Sequence, residues 1–214
     1  MKSTDAPSPR GQSPSGATTL GATRVGVRAR RRLEEPPGGV LLWLIVGLEL
    51  VTFAMVFGLI AHQRTGNPQA FAEGQAALSL PMGLALTLVL VTSGALAAQA
   101  VHFFRQGQRA SSRRWFLASA GIGAVFVVLK LIDSVDHLRA GFRLGSSDFW
   151  DAYWLGTGFH FLHVLVGLGL LLGVAARVDR AKFTDEETAI AGSALFWHMC
   201  DVAWFFLFPL FFAR

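Results

Sequence analysis

The chain has 214 residues, of which 52% are hydrophobic and only 15% charged, a balance that excludes an ordinary soluble domain and favours a membrane protein. Nineteen Lys and Arg against fourteen Asp and Glu give a formal charge of +5, which by itself fits nucleic acid or an anionic lipid surface as partner. The single cysteine, Cys200, excludes a disulfide framework within the chain and a CxxC metal pair.

The first 38 residues are rich in Ser, Pro, Gly, Thr and Arg and contain no apolar run of useful length. Such a segment cannot bury enough apolar surface to offset the entropy of ordering its backbone. We therefore predict that residues 1–38 form a disordered basic tail.

Five apolar blocks follow the tail, at approximately residues 39–61, 82–104, 115–135, 152–176 and 189–213. Each has about the 20 residues that a helix needs to cross a bilayer. Residues 39–214 are therefore predicted to be an all-α integral membrane bundle of five transmembrane helices. Gly121, Gly123 and the GxxxG pair Gly169 and Gly173 are expected to let helix backbones approach closely.

Basic residues are distributed unevenly over the two sides of these spans. Twelve lie in residues 24–32 of the tail or in the even loops, and only Arg64, Arg139 and Arg143 lie in the odd loops. The twelve are Arg24, Arg28, Arg30, Arg31, Arg32, Arg105, Arg109, Arg113, Arg114, Arg177, Arg180 and Lys182. The positive-inside rule then predicts a cytoplasmic N-terminus and a C-terminus outside. Topology and anionic lipid account for the charge, so nucleic-acid binding has little support.

Seven ionisable residues fall inside the predicted spans: Glu49, Lys130, Asp133, His160, His163, His198 and Asp201. A lone charge at mid-membrane costs about 2.5 to 3.5 kcal/mol even on the lenient insertion scale, so these side chains are expected to face the bundle interior and one another. Such residues mark functional sites by default, and polar contacts between helices are the plain alternative. Both interpretations stay open at this stage.

Helical spacing and depth suggest partners for these residues. Lys130 and Asp133, like His198 and Asp201, are i,i+3 neighbours that share a helix face. At about 1.5 Å of rise per residue, the cytoplasmic half holds Glu49 close to His198 and Asp201. By the same rise the outer half holds Lys130, Asp133 and His160, with His163 nearer the middle.

The histidines do not suggest a metal or haem site. Axial ligation by two imidazoles needs both at one depth, but His198 is expected roughly 8 to 12 Å closer to the cytoplasm than His160 and His163. A metal site on His160 and His163 would need a third ligand such as Asp133, and the chain has no Cys pair for a binuclear copper centre. A haem-binding membrane cytochrome is therefore the least favoured hypothesis.

The last two predicted helices contain TGFHFLHVLVG and WHMCDVAW, which resemble the late helices of subunit III of the haem-copper oxidases. The resemblance extends to GLELVTFAMVF, which places Glu49 on the buried carboxylate of that family, and to Lys130-Leu-Ile-Asp133, where the family has a polar residue three before an acid. Five helices and the FAEGQAALSLPMG loop are most similar to the short branch, the E subunit found with nitric oxide reductases. The sequence departs from the family pattern at Ala191, where an acid is expected seven residues before His198.

This resemblance implies an accessory subunit of a respiratory haem-copper complex in the bacterial plasma membrane. The complex is either a cytochrome c oxidase or a nitric oxide reductase, and the chain itself carries no catalytic, cofactor-binding or metal-ligating residue. Haem and copper are expected in the partner, catalytic subunit I, whose assembly, lipid packing and catalytic lifetime this chain supports. Bound phospholipid is expected as a ligand, although the two extra helices that complete a lipid cleft in longer members are absent.

An alternative from another class is a proton-coupled transporter or channel, because rows of Glu, His and Asp inside membranes often relay protons. The sequence shows no inverted repeat and no pair of Gly/Pro-broken helices, which are typical of such transporters. In the favoured interpretation as an accessory subunit, His160 and His163 are expected to form hydrogen bonds across the bundle rather than to bind metal.

Overall fold

The computed structural model describes residues 39–180 and 185–213, and the tail predicted over residues 1–38 lies outside the described residues. The described chain forms six α-helices. They are α1 (Gly39–Gly66), α2 (Pro68–Ala77), α3 (Leu80–Arg105), α4 (Arg109–Arg139), α5 (Asp148–Arg177) and α6 (Glu186–Phe212). All except α2 are long and apolar enough to cross a membrane, which confirms the predicted all-α bundle of five spanning helices.

The spanning helices extend beyond the apolar blocks from which they were predicted. Helix α4, for example, has 31 residues and runs from Arg109 to Arg139, whereas its apolar block covers only 115–135. A helix of this length spans about 46 Å, against a hydrocarbon core of about 30 Å. The polar turns at each end therefore fall in the interfacial region, where hydropathy does not detect them. Which end faces the cytoplasm stays a prediction.

The short helix α2 was not predicted from the sequence, which was interpreted there as a loop. Its start has a recognisable signal: the side chain of Asn67 accepts a hydrogen bond from the Ala70 amide at 3.3 Å, and Pro68 occupies the first helical position. Helix α2 has only ten residues and little apolar periodicity. It is shorter than a spanning helix, so the search for apolar spans did not detect it.

Helix α2 packs on the end of the bundle where α5 begins and α6 ends. The buried ring of Phe71 meets that of Phe149 edge to face, with centroids 5.4 Å apart. The side-chain amide of Gln75 donates hydrogen bonds to the carbonyl oxygens of Leu210 at 3.3 Å and Ala213 at 3.1 Å. These bonds satisfy acceptors that the C-terminus of α6 leaves without helical partners.

Helix α6 is the centre of the bundle and α1 is its most peripheral spanning helix. Helix α6 packs against α1, α3 and α5 and buries Trp197 and Trp204 completely. Helix α1 buries only Val46, Phe53 and Ile60, which are seven residues apart and so form a single narrow seam. Few apolar contacts therefore hold α1, and its polar contact with the bundle matters correspondingly more.

The glycines named from the sequence make fewer close helix contacts than expected. Only Gly123 lies at one, because a Cβ placed there would be 2.8 Å from the ring of Trp197. A Cβ on Gly121 or Gly169 would meet nothing within 4 Å, and one on Gly173 would meet only a side chain of its own helix. The expectation was wrong for these three, because a small-residue motif brings helices together only when it faces one.

Three ion pairs join the turn between α3 and α4 to the connection between α5 and α6. They are Arg105 with Glu187, Arg109 with Glu186, and Arg113 with Asp179. We call this end of the bundle, which also contains the first turn of α1, the arginine-rich end. Because these pairs are partly solvent-exposed, each is worth at most about 1 kcal/mol.

Candidate functional site

The ionisable residues predicted inside the spans lie in separate polar clusters rather than around one centre. The first cluster joins α4 to α5. Lys130 donates to Asp133 Oδ2 at 3.0 Å, as the i,i+3 spacing predicts, and also to the Tyr153 hydroxyl at 2.6 Å. That hydroxyl donates to Asp133 Oδ2 at 2.9 Å. All three residues are at least 94% buried, so each charge is neutralised inside the bundle.

Tyr153 was missed in the sequence interpretation, although it carries a usable signal. It is the single tyrosine of the chain and lies in the apolar stretch that becomes α5. A buried tyrosine hydroxyl usually finds a hydrogen-bond partner, and the nearest buried charges along the bundle are Lys130 and Asp133. Which face of α5 meets α4 could not be read from the sequence, so the contact itself could not be assigned.

His137 extends this cluster toward the end of α4. Its Nδ1 lies 2.6 Å from the Asp133 carbonyl oxygen and 3.6 Å from the Asp133 carboxylate. Its ring packs against those of Trp150 and Tyr153, with centroids 5.2 and 5.7 Å away. This residue is almost completely buried, because α4 continues beyond its apolar block and carries His137 against α5.

The second cluster links α1 to α5 through Glu49 and His163. Nε2 of His163 lies 3.0 Å from the Glu49 carboxylate, while Nδ1 lies 2.9 Å from the Phe159 carbonyl oxygen of its own helix. This hydrogen-bond partner of Glu49 was not predicted from the sequence. Glu49 is ten residues into α1 and His163 fourteen from the end of α5, so their depths differ by only about 6 Å, which side-chain length and helix tilt cover.

His160 forms a hydrogen bond across the bundle. Its Nε2 lies 3.1 Å from the carbonyl oxygen of Cys200 on α6. The ring is 99% buried and lies between the rings of Phe126 and Trp204. A carbonyl acceptor requires a proton on Nε2, so this imidazole is a donor that joins two helices.

The third cluster lies between α6 and α3 and consists of His198 and Asp201. Nδ1 of His198 is 3.1 Å from Asp201 Oδ2, the geometry that their i,i+3 spacing predicts. Asp201 packs so closely on α3 that a Cβ on Gly94 would be 2.1 Å from Oδ2. The other carboxylate oxygen, Oδ1, is buried without a hydrogen-bond partner in the described chain. The His198 side chain is 40% exposed.

Each of the three clusters lies between a different pair of helices. Across residues 39–180 and 185–213, no group of three or more His, Cys, Asp or Glu side chains is arranged to hold a metal ion. Each predicted residue instead contacts a partner on its own or a neighbouring helix. The geometry is that of polar contacts that set the rotation and depth of each helix.

Two grooves open on the surface of the bundle near the arginine-rich end. The larger, about 420 Å³, lies between α1, α5 and α6, and it has apolar walls that include Leu42, Leu170 and Gly173, with Arg177 at its charged mouth. The smaller, about 270 Å³, lies between α1, α3 and α6, and both Ala191 and His198 line it.

The fold and the clusters together define a class of protein: a multi-pass integral membrane bundle whose buried polar side chains bind one another. The family model described as "Cytochrome c oxidase subunit III" matches residues 68–213. The chain therefore belongs to the cytochrome c oxidase subunit III family. With its five apolar helices and bacterial relatives, it is a multi-pass protein of the plasma membrane.

Individual relatives agree with the family match. The chain is similar to cytochrome c oxidase subunit 3 of Corynebacterium diphtheriae, with 32% identity over 75% of this chain and 80% of the relative. Probable cytochrome c oxidase subunit 3 of Mycobacterium leprae is 31% identical over 80% of this chain and 84% of the relative. Quinol oxidase subunit 3 of Bacillus spizizenii is 27% identical over 78% and 81%.

Proposed function

We propose that this chain is a redox-centre-free accessory subunit of a respiratory haem-copper oxidase and that it packs on catalytic subunit I. The family match over residues 68–213 is the observation that carries this proposal. Relatives named as subunit 3 of both cytochrome c oxidases and quinol oxidases leave the electron donor of the complex open. The similarity to the E subunit of nitric oxide reductases stays a prediction.

The contacts between the helices favour the role of an accessory subunit over a catalytic role. Buried and partly buried polar contacts join α1 to α5, α4 to α5 and α5 to α6. Such contacts fix the register of helices in a bilayer, where the hydrophobic effect does not drive helices together. A rigid bundle of this kind can present one apolar face to a catalytic subunit and order lipid beside it.

Co-purification tests the proposed partner. Full-length chain carrying an affinity tag is isolated from native membranes in a mild detergent, and the accompanying chains are identified by mass spectrometry. We expect subunit I, with haem detected by absorbance and copper by elemental analysis in the complex. If nitric oxide reductase subunits co-purify instead, the terminal electron acceptor of the complex is nitric oxide. A chain that purifies alone and makes proteoliposomes leak protons would favour the transporter hypothesis instead.

Glu49→Gln is expected to leave the complex assembled but to shorten its catalytic lifetime. Glutamine keeps a hydrogen bond to His163 but removes the negative charge, so α1 loses an ionic contact with α5. Because α1 is held by a single apolar seam, we expect the turnovers completed before inactivation to fall about threefold or more, the equivalent of about 0.7 kcal/mol. The measurement is oxygen consumption by the purified complex followed to inactivation.

Glu73→Gln is the matched control, because Glu73 is an exposed acid on α2 whose hydrogen-bond partner among the described residues is Gln69 of the same helix. The control should inactivate like the unmodified complex. Complete loss of the complex in the Glu49 variant would contradict a role in lifetime and favour one in assembly alone.

We further propose that the larger groove binds the acyl chain of an anionic phospholipid. Its walls are aliphatic, and the Arg177 guanidinium at its mouth has no ion-pair partner among the described residues. An arginine at the end of a spanning helix lies at headgroup depth, where it can bind a phosphate with two hydrogen bonds. Gly169 and Gly173 leave the space that the chain occupies.

Arg177→Gln should weaken phospholipid binding about fivefold, since one basic residue near the surface contributes about 1 kcal/mol. The measurement is native mass spectrometry of the complex with added phosphatidylglycerol. Arg180→Gln is the control, because Arg180 is an exposed arginine three residues further on that does not line the groove. Equal losses in both variants would show a general charge effect and contradict a site at Arg177.

A further inference from the structure

The smaller groove has an imidazole on its wall, that of His198, within a spanning helix. Its floor is formed by Ala98, Ala191 and Ala194, and Trp43 provides an aromatic wall. Arg105 also lines the groove, and this guanidinium is paired with Glu187. His198 lies twelve residues into α6, at about 18 Å from the start of a helix about 40 Å long. The imidazole is therefore at mid-membrane depth. Ala191 is the position where an acid was expected from the family resemblance, and the short side chain leaves the groove open.

The hydrogen bond to Asp201 determines what the His198 imidazole can offer to a ligand. A carboxylate accepts hydrogen bonds only, so the proton of the neutral imidazole is assigned to Nδ1. Nε2 is then a lone-pair acceptor, and it has no hydrogen-bond partner among the described residues. The buried Oδ1 of Asp201 also lacks a partner, which leaves the pair with unused acceptor capacity. A matching ligand must donate a hydrogen bond.

The dimensions of the groove and the depth of His198 restrict the ligand further. A helix of a partner protein is too large for the groove. One helical turn with its side chains occupies about 400 to 600 Å³, whereas the groove has a volume of about 270 Å³. A phospholipid keeps its headgroup at the interface, about 15 Å from the bilayer centre, and its acyl chain has no donor for Nε2. A small, neutral, membrane-dissolved molecule with a hydroxyl group meets both conditions.

We propose that this groove binds the hydroxylated ring of a lipid-soluble quinol, with a ring hydroxyl donating to Nε2 of His198. A flat ring fits between the alanine floor and the Trp43 wall, and its tail leaves laterally into the bilayer. The site binds and does not oxidise the ring. Because a quinone presents carbonyl oxygens, which only accept, the reduced form binds in preference to the oxidised form.

The test measures binding of two probes to the full-length chain in quinone-free phosphatidylcholine nanodiscs. The probes are tritium-labelled decylubiquinol and decylubiquinone. We expect saturable binding of the quinol at one site per chain and about tenfold weaker binding of the quinone, as one lost hydrogen bond predicts. Equal affinity for the two probes, or absence of saturable quinol binding, would overturn the proposal.

Two variants locate the site. His198→Ala removes the acceptor, and Ala194→Leu fills the groove while leaving the imidazole and Asp201 in place. Each should weaken quinol binding about tenfold. Ala54→Leu is the control, because Ala54 is exposed on α1 and does not line the groove. Unchanged binding in Ala194→Leu, whose fold is checked by its thermal transition, overturns the assignment. So does competitive displacement of the probe by phosphatidylglycerol.

Quinol binding by this chain does not depend on its docking to a catalytic subunit. Nanodiscs that contain the chain alone therefore separate the two proposals. Failure of the co-purification experiment would leave the binding result intact, and failure of quinol binding would leave the accessory role intact.

Discussion

Asp133→Leu is expected to lower the free energy of unfolding by about 3 to 5 kcal/mol, the cost of leaving one charge of a buried pair without its partner. Lys130 is 97% buried, and its remaining hydrogen bond to the Tyr153 hydroxyl cannot neutralise the ammonium charge. The measurement is reversible unfolding of the purified chain in mixed micelles, with helicity followed by circular dichroism as the fraction of denaturing detergent rises.

The double variant Lys130→Met/Asp133→Leu separates loss of charge balance from loss of packing. It removes both charges and keeps similar side-chain volumes, so we expect it to regain most of the lost stability. Asp136→Asn is the matched control, because Asp136 is an exposed acid on the same helix, and its change should stay within about 0.5 kcal/mol. A double variant as unstable as Asp133→Leu would show that the charge imbalance is not the cause.

Trp197→Ala is expected to cost about 3 to 5 kcal/mol, the range for removing a large buried aromatic side chain. The Trp197 ring is fully buried where α4, α5 and α6 meet, because Gly123 and Gly167 leave room for it. A Cβ on either glycine would lie 2.8 Å from the ring, so the backbones of α4 and α5 pack directly against it. Removing the ring leaves a cavity between these helices, which they can close only by rearranging. The same unfolding measurement gives the loss.

Phe205→Ala is the control for this substitution. Phe205 is an aromatic residue on the same helix with 54% of its surface exposed, so its removal changes contacts with lipid rather than packing within the bundle. We expect a loss below about 1 kcal/mol. If Trp197→Ala costs no more than Phe205→Ala, the meeting point of the three helices is not tightly packed.

The polar clusters show where prediction from sequence reaches its limit. Partners on one helix were predicted, because the 3.6-residue period places Lys130 with Asp133 and His198 with Asp201 on common faces. The exact partners on different helices were not predicted. Glu49 bonds to His163, and His160 bonds to the backbone carbonyl of Cys200. The rotation of one helix against another could not be read from the sequence.

Helix α2 and the glycines show the same limit in the fold. Hydropathy and length detected the five spans, since only a long apolar segment is stable across lipid. The short helix Pro68–Ala77 crosses nothing, so no such constraint marks it, and only its cap at Asn67 is visible in the sequence. Gly169 and Gly173 match a packing motif yet line a groove, because the motif does not specify which face meets a neighbour.

The order of residues by itself determined that this protein is a five-span membrane bundle with charges buried inside it, because apolar length and the cost of a lone charge in lipid depend on the chain alone. Only the tertiary structure decided that Tyr153 completes the Lys130 and Asp133 pair, that Glu49 holds α1 through His163, and that His198 faces a groove. Those contacts depend on how side chains from several helices pack together, and packing is a property of the assembled bundle.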